Sequence, residues 1–393
     1  MIRATQAQIA HFSLTRTGLT AEAGANIIQT VKRLVALPAG DITTPVLTLW
    51  PRLPHFRPDD LLAELYRARR LIKRPAMRNE PGIVAVDDLT MLHAATQRQR
   101  RQAFNTEFIN WAIELSEVEA LGQAILEAIG AGPVTAAAII TRLPPGTVRE
   151  LTQTSRGGRI SILSNVALAL RWLEANGRLA VSQPEPPPDW REEAPAYAPF
   201  STWLPQADLT TELSEAEAQL CLVRAYLAAF GPATEADVSA WTGFGKSETQ
   251  RAINALTPET TLVMVDGMPG AMLLLKEQAD TLNAMHPPAR PVVNLLPADD
   301  PFVKAHKASR ARLVTDLRLQ RQIFSSADRA APTIVVDGKI VGVWDWQKMD
   351  GQDRITWQAL TDFDPGLLPR LQAELERLAN FIGPQTELEP FAT

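Results

Sequence analysis

Apolar positions recur along this chain with two periods, and the points where one gives way to the other divide it into segments. Ile9, Phe12 and Leu14 share one side of a helix predicted over 5–18 and closed by Gly18. Ile27, Ile28, Val31, Leu34 and Val35 at helical spacing predict a second helix over 21–37, broken by Pro38-Ala39-Gly40-Asp41. A short helix over 45–50 and a fourth over 58–69, with Leu61, Leu62 and Leu65 inward, come next. The pattern then turns extended over 71–77 and 82–86, joined by Arg78-Asn79-Glu80-Pro81, which predicts a hairpin. A helix over 90–113 bridges to the next segment.

Two stretches then repeat one device. In the first, a helix marked by Leu121, Ile125 and Ile129 runs into Gly132-Pro133-Val134-Thr135. In the second, a helix marked by Leu220, Val223, Leu227 and Phe230 runs into Gly231-Pro232-Ala233-Thr234. Gly and Pro stop a helix, and Thr two residues beyond the Pro caps a new one; Asp237 stands at capping-box distance from Thr234. The first copy continues with helices over 139–143 and 165–176, a Gly177 cap and an extended start over 178–181. Its second and third helices are separated by a loop carrying Arg149, Arg156 and Arg159. The second copy continues with a helix capped by Ser247, with Gln250 at capping-box spacing, then strands over 262–265 and 271–275 about Asp266-Gly267. Three helices and a hairpin in this order form the winged helix-turn-helix pattern.

Beyond Pro287-Pro288 the period falls to two. Strands are predicted over 292–296, 333–336, 340–345 and 354–360, with turns at Asp337-Gly338 and Asp350-Gly351, and a helix over 365–381 closes the chain. The expected fold is mainly α with β: three tandem winged helix-turn-helix units, then a small antiparallel β-barrel-like domain with a closing C-terminal helix. The units are expected at 1–115, 116–183 and 212–284, with a Pro- and acid-rich linker at 184–211 and the β domain at 285–393.

Composition narrows the chemistry. At 393 residues, 46% hydrophobic and 21% charged, the chain reads as globular. No apolar run is long enough to span a bilayer and no signal-peptide core opens the chain, so the expected location is cytoplasmic, away from membranes. Cys221 is the single cysteine, read as a small core residue, and the five histidines are scattered; no metal site and no cofactor are expected. The net charge of −5 argues against nonspecific coating of nucleic acid but leaves local contacts open.

Several stretches, met in one order, resemble the AlkZ-like winged-helix DNA glycosylases, which unhook crosslinked or bulky alkylated bases. They are 31–41, Leu47-Thr-Leu-Trp-Pro-Arg-Leu53, 70–78, Tyr226-Leu-Ala-Ala-Phe-Gly-Pro-Ala-Thr234, Leu295-Leu-Pro-Ala-Asp-Asp-Pro301 and 336–344. The resemblance implies double-stranded DNA, plain or damaged, as the partner, and a Gln-x-Gln or Gln-x-Asp catalytic motif just after the helix at 21–37. The matching positions here are Pro38 and Gly40, and where the family has Gly-Thr-x-His this chain has Asn79-Glu80-Pro81-Gly82. A literal Gln6-Ala7-Gln8 lies upstream and reads as solvated helix surface.

Two functions follow. One is a duplex-DNA binder related to glycosylases of alkylation and crosslink repair, with weak or lost base excision. The other is an active glycosylase with Asp41, beside the motif, as a relocated catalytic acid; its bland reading is a turn residue or helix cap. A scaffold whose winged helices bind protein is a third, weaker reading. For DNA contact the candidates are Arg67, Arg70, Lys73, Arg74 and Arg78 in the wing-forming stretch, and Lys246, Gln250, Arg251 and Asn254 on the third unit's recognition helix. Glu80 is a lesser acid candidate. The run Gln97-Arg98-Gln99-Arg100-Arg101 and the group Lys304, Lys307, Arg310 and Arg312 read first as solvated or mixed-charge helix surface.

Overall fold

A computed structural model describes residues 1–20, 26–154, 157–183, 189–192, 194–210, 213–349, 351–362 and 364–390. Residue contacts divide the chain into two compact units, one of 1–38, 44–56 and 223–393, the other of 39–43 and 57–222. Ala21 to Ala25, the expected start of the second helix, lie outside the described residues, as does Asp350 of one expected turn.

In the first unit, the Gly-Pro-x-Thr device behaves as its chemistry dictates. Thr234 caps the helix Glu235–Thr242, its Oγ1 accepting from the Asp237 N–H at 3.1 Å while Asp237 Oδ2 accepts from the Thr234 N–H at 3.1 Å. The rings of Tyr226, Phe230 and Trp241 meet at centroid distances of 5.0 to 5.7 Å, and the buried Tyr226 hydroxyl donates to the Ala305 carbonyl at 2.7 Å. The next helix, Lys246–Ala255, is capped two residues before Ser247: Gly245 is its N-cap, and Glu248 Oε2 accepts the Gly245 N–H at 2.8 Å. The longer Glu248 carboxylate at the third position outcompetes a Ser247 cap. A hairpin of Thr260–Val265 and Ala271–Leu275 follows, with Ile2–Ala4 added parallel to its first strand. Cys221, expected in the core, is exposed. Ala218, Leu222, Val223 and Tyr226 are among the buried residues of its helix, Glu215–Phe230, and Cys221 points away from them.

The C-terminal sheet is open, which corrects the expected barrel. Its five strands run in the order Val293–Leu296, Thr333–Val336, Lys339–Met349, Gln352–Ala359 and Glu387–Pro390. The first four pair antiparallel; the last, which the hydrophobic pattern does not predict, pairs parallel to Gln352–Ala359. Four-residue strands at both edges give too little length to close a cylinder. The helix Leu368–Ile382 buries Leu371, Leu375, Leu378 and Ile382 and packs by the edge strand Val293–Leu296. Asp337 at φ 48° and Gly338 at φ 77° make the expected two-residue turn, whose positive φ at both positions suits the twist of the strands.

The second unit holds the hairpin Leu71–Pro75 and Pro81–Ala85, expected within a residue or two, with a helical turn at Met77–Asn79. The bridging helix is broken at Thr96 into Leu89–Ala95 and Gln97–Trp111. The loop expected between two helices is instead an antiparallel hairpin, Glu150–Thr154 with Ile160–Ser164. The expected linker contributes a strand, Ala196–Pro199, seated between Val134–Thr135 and Leu179–Ser182. Its alternating Ala196 and Ala198 are buried, a period-two signal masked by the surrounding prolines. Helices Leu115–Ile129 and Asn165–Ala175 approach closely at Gly122, where an added Cβ would stand 3.1 Å from Leu173 Cδ2.

Candidate functional site

The chain enters the motif positions through a strained turn. Asn26 caps the helix Ile27–Leu34 in a capping box with Gln29, and the helix ends at Val35 with φ 66° and ψ −46°. The Ala36 N–H donates to the Leu34 carbonyl at 2.8 Å, closing a three-residue turn about Val35. That turn is rare, and a β-branched side chain at positive φ is costly, so buried packing must hold it. Val31, Leu34, Val35 and Leu37 are all buried.

Pro38 is half-buried and Gly40 exposed. The Ala39 N–H donates to the Pro81 carbonyl at 3.0 Å, so 39–42 runs beside the hairpin that carries the Asn79-Glu80-Pro81-Gly82 stretch. Asp41 is half-buried, and its Oδ1 accepts from Thr43 Oγ1 at 2.8 Å. This is the geometry of a turn carboxylate before a helix, the bland role that its sequence position allows. Gln6 and Gln8 are not plain surface. Gln8 completes the capping box of Thr5 and donates to the Met285 carbonyl at 3.3 Å; Gln6 donates to the Asp266 carbonyl and accepts from Lys339 Nζ at 2.8 Å.

The basic residues of the 67–78 stretch separate by environment. Arg67 is exposed, with no ion pair or hydrogen bond among the described residues. Arg70 is exposed and bound to Glu64, Nε to Oε2 at 2.7 Å. Arg78 pairs with Glu80 at 2.9 Å, so that acid sits on its hairpin neighbour. Arg74 is not available to a phosphate: it is 3% exposed, with its guanidinium 2.9 Å from His93 Nδ1. Arg100 is buried on the other side of the same ring, 3.3 Å from Nε2. Burial lowers Arg74 to about 10, and burial with the charge of Arg74 lowers Arg100 to about 9. Burial, Arg100 and Arg74 together push His93 down to about 3, so the imidazole between them stays neutral. Strand alternation explains the split, because Lys73 and Arg74 must face opposite sides of Leu71–Pro75.

Lys246, Gln250, Arg251 and Asn254 are all exposed on the helix Lys246–Ala255, whose Thr249, Ala252 and Ile253 are buried. Gln250 and Asn254, one turn apart, share a hydrogen bond of 2.8 Å. This face presents amides and cations side by side, the donor and acceptor set that reads base edges and phosphates. The second group of cations is engaged: Lys304, Lys307 and Arg310 all pair with Asp328, and Arg312 is buried, donating to the Pro232 carbonyl and to Ser13 Oγ.

The sequence reading missed a cavity. About 210 Å³ in volume, it lies in the second unit, lined among others by Ile42, Tyr66, Lys73, Glu174, Ser182 and Trp190. Glu174 is half-buried on the helix Asn165–Ala175. Its desolvation, opposed by Arg74, Lys73 and Arg171, pushes the carboxyl up to about 7. Ser182 is 1% exposed and its Oγ has no hydrogen-bond partner. The available signal was a lone acid near the end of a mostly apolar helix. Among the described residues no cluster of His, Cys, Asp or Glu is placed to hold a metal, and no helix is long and apolar enough to cross a membrane.

Comparison with known proteins places this arrangement. No curated protein sequence matches the chain. Among solved structures, the chain is similar to the Streptomyces sahachiroi DNA glycosylase AlkZ at a TM-score of 0.74 and 17% identity, covering 99% of this chain and 100% of that one. At that identity the likeness speaks for the fold. A family model described as DNA glycosylase AlkZ-like matches residues 31–381, a span that takes in the strained turn, the hairpin of Leu71–Pro75 and Pro81–Ala85 and the exposed helix. The chain belongs to the AlkZ-like DNA glycosylase family.

Proposed function

We propose that this protein is a duplex-DNA-binding member of its family in which base excision is weak or lost. The observation that carries the reading is the pair Pro38 and Gly40 at the motif positions. Pro38 offers no polar side-chain group and Gly40 no side chain, so neither can position a water or accept its proton. General acid–base help of that kind is worth about 100- to 10,000-fold. The exposed polar face of Lys246–Ala255 supports a scaffold used for binding. On this reading 1–115, 116–183 and 212–284 act as winged-helix modules, and Arg67, Lys246, Gln250, Arg251 and Asn254 meet the DNA.

A second reading keeps catalysis and moves it to Asp41. It is favoured by the half-buried carboxylate held by Thr43 one residue past the motif. Duplexes carrying a cationic alkylpurine or an interstrand crosslink separate the two when abasic sites are scored after incubation. Binding without turnover supports the first reading. Multiple turnover that Asp41→Asn abolishes establishes the second.

A further inference from the structure

The helices Glu235–Thr242 and Lys246–Ala255 are joined by Gly243-Phe244-Gly245, with Gly243 in the left-handed region at φ 74°. Two helices on so short a turn, followed by a hairpin, leave the outer face of the second free to enter a groove of duplex DNA. That face is a single stripe. Lys246, Gln250 and Asn254 stand one turn apart, with Arg251 in the neighbouring row, and all four are exposed. From Lys246 to Asn254 the stripe runs about 12 Å, roughly three to four base-pair steps. Arg224, Arg310, Arg329, Arg354 and Arg377 of the same unit pair with carboxylates, whereas Lys246 and Arg251 have no carboxylate partner among the described residues. Glu248, the acid between them, is turned back onto the Gly245 N–H at 2.8 Å.

The two amides on this stripe are ordered by their neighbours. Gln250 and Asn254 share a hydrogen bond of 2.8 Å. On its other side the Gln250 amide faces the Glu235 carboxylate at 3.0 and 3.1 Å, so its nitrogen donates there and its carbonyl accepts from the Asn254 amide. One Gln250 N–H and the Asn254 carbonyl are left uncommitted, a donor beside an acceptor. In the major groove adenine presents the complement, N7 as acceptor and the N6 amino group as donor. Guanine presents two acceptors, N7 and O6, and would set O6 against the Asn254 carbonyl.

We propose that Lys246–Ala255 reads DNA sequence: in the major groove the Gln250–Asn254 pair takes the edge of an adenine, Glu235 is the positioning residue that orients the pair, and Lys246 and Arg251 take flanking phosphates. The inference rests on the duplex-binding reading and goes beyond it, since undamaged duplexes are then sorted by sequence. The hairpin after the helix, Thr260–Val265 with Ala271–Leu275, carries no cation, so the helix itself supplies the grip. Discrimination comes from the amides and affinity from the cations, and the two separate on mutation.

The test uses the full chain and a pool of short undamaged duplexes with a randomised centre, selected by binding and sequenced. Adenine is expected to be enriched at a fixed position of the selected site. Exchanging that A·T pair for G·C, or its adenine for 7-deazaadenine, should each weaken binding, the exchange by about tenfold. Gln250→Ala with Asn254→Ala should erase the preference, so that A·T and G·C duplexes bind alike, with the salt slope kept. Glu235→Ala should narrow the preference at the same slope. Lys246→Ala with Arg251→Ala should weaken all duplexes alike and lower the slope by about two. Thermal melts check that each variant is folded. Equal binding of the adenine and 7-deazaadenine duplexes, or a preference that survives in the double amide variant, overturns the proposal. Binding of the pool without enrichment keeps the duplex-binding reading and loses this one, and no binding of the pool even at low salt removes both.

Discussion

Arg52 and Asp300 form a bidentate ion pair, with both N–O distances 2.8 Å and both side chains fully buried. The guanidinium also donates to the Thr17 and Thr48 carbonyls, and Asp300 Oδ1 accepts the Phe302 N–H. The two residues come from separate stretches that carry the family resemblance, 47–53 and 295–301. What looked like two unrelated sequence signatures is one buried contact. Removing one partner leaves an uncompensated charge, which costs about 3–5 kcal/mol. Arg52→Met or Asp300→Leu should each lower the unfolding free energy from urea titration by that amount. The double change Arg52→Met with Asp300→Leu should lose less than the two singles added, and additivity would refute the coupling.

Surface charge should govern DNA affinity. Reversing Lys246 and Arg251 to Glu is expected to weaken duplex binding and reduce the slope of log K against log salt by about two, one per lost phosphate contact. Arg67→Glu should remove a further unit. Unchanged binding at every salt concentration would exclude these residues from the interface. Arg74→Met should act otherwise, destabilising the fold and leaving the salt slope of the folded fraction alone, because Arg74 is buried.

His93 should make the fold acid-sensitive. Its folded value near 3 lies below the ordinary 6.5, so the neutral form is the one that the fold accepts. The stabilisation is complete above about 6.5 and drains away as pH falls toward 3, at a slope of up to ~1.4 kcal/mol per pH unit. Glu174, raised to about 7 from 4.5, works in the opposite sense: its contribution is full below about 4.5 and is lost as pH rises through 7. Between 4.5 and 6.5 the two oppose each other. The difference in unfolding free energy between parent and His93→Gln therefore isolates the histidine, and a difference flat from pH 7 to pH 4 would contradict its assignment.

Gly122 is held by space. A Cβ there meets Leu173 Cδ2 at 3.1 Å, so Gly122→Val should force the two helices apart at a cost of about 1–3 kcal/mol. A midpoint equal to the parent's in denaturant would show that Leu173 yields freely.

The parts of the fold legible in sequence were those fixed by local chemistry. Thr135 and Thr234 cap helices as their spacing foretold, and Asp337-Gly338 turns a hairpin because few other pairs tolerate positive φ twice. What escaped depends on partners distant in sequence. The strand Glu387–Pro390 offers a single Leu388 between two glutamates before a proline and is recognisable only beside Gln352–Ala359. Arg74 reads as one of five candidate cations until strand parity turns it inward against His93. Pro38, Gly40 and Asp41 could be placed from the chain alone, whereas Glu174 gains its meaning from a cavity assembled by residues 42 to 197.

Asp237 is usually counted as part of a cap, yet its buried carboxylate also accepts the Ala308 N–H at 2.7 Å, the Ser309 N–H at 3.0 Å and the Ser309 hydroxyl at 2.7 Å. One side chain thus closes the first turn of Glu235–Thr242 and pins a loop some seventy residues further on. Neither can open while the other stays intact. In hydrogen-exchange terms the amides of Thr234, Ala308 and Ser309 belong to one cooperative unit, and their protection should rise and fall together although the chain between them spans a hairpin and a strand. A helix cap that doubles as a clasp makes local fraying at Thr234 as costly as a larger opening of this part of the fold.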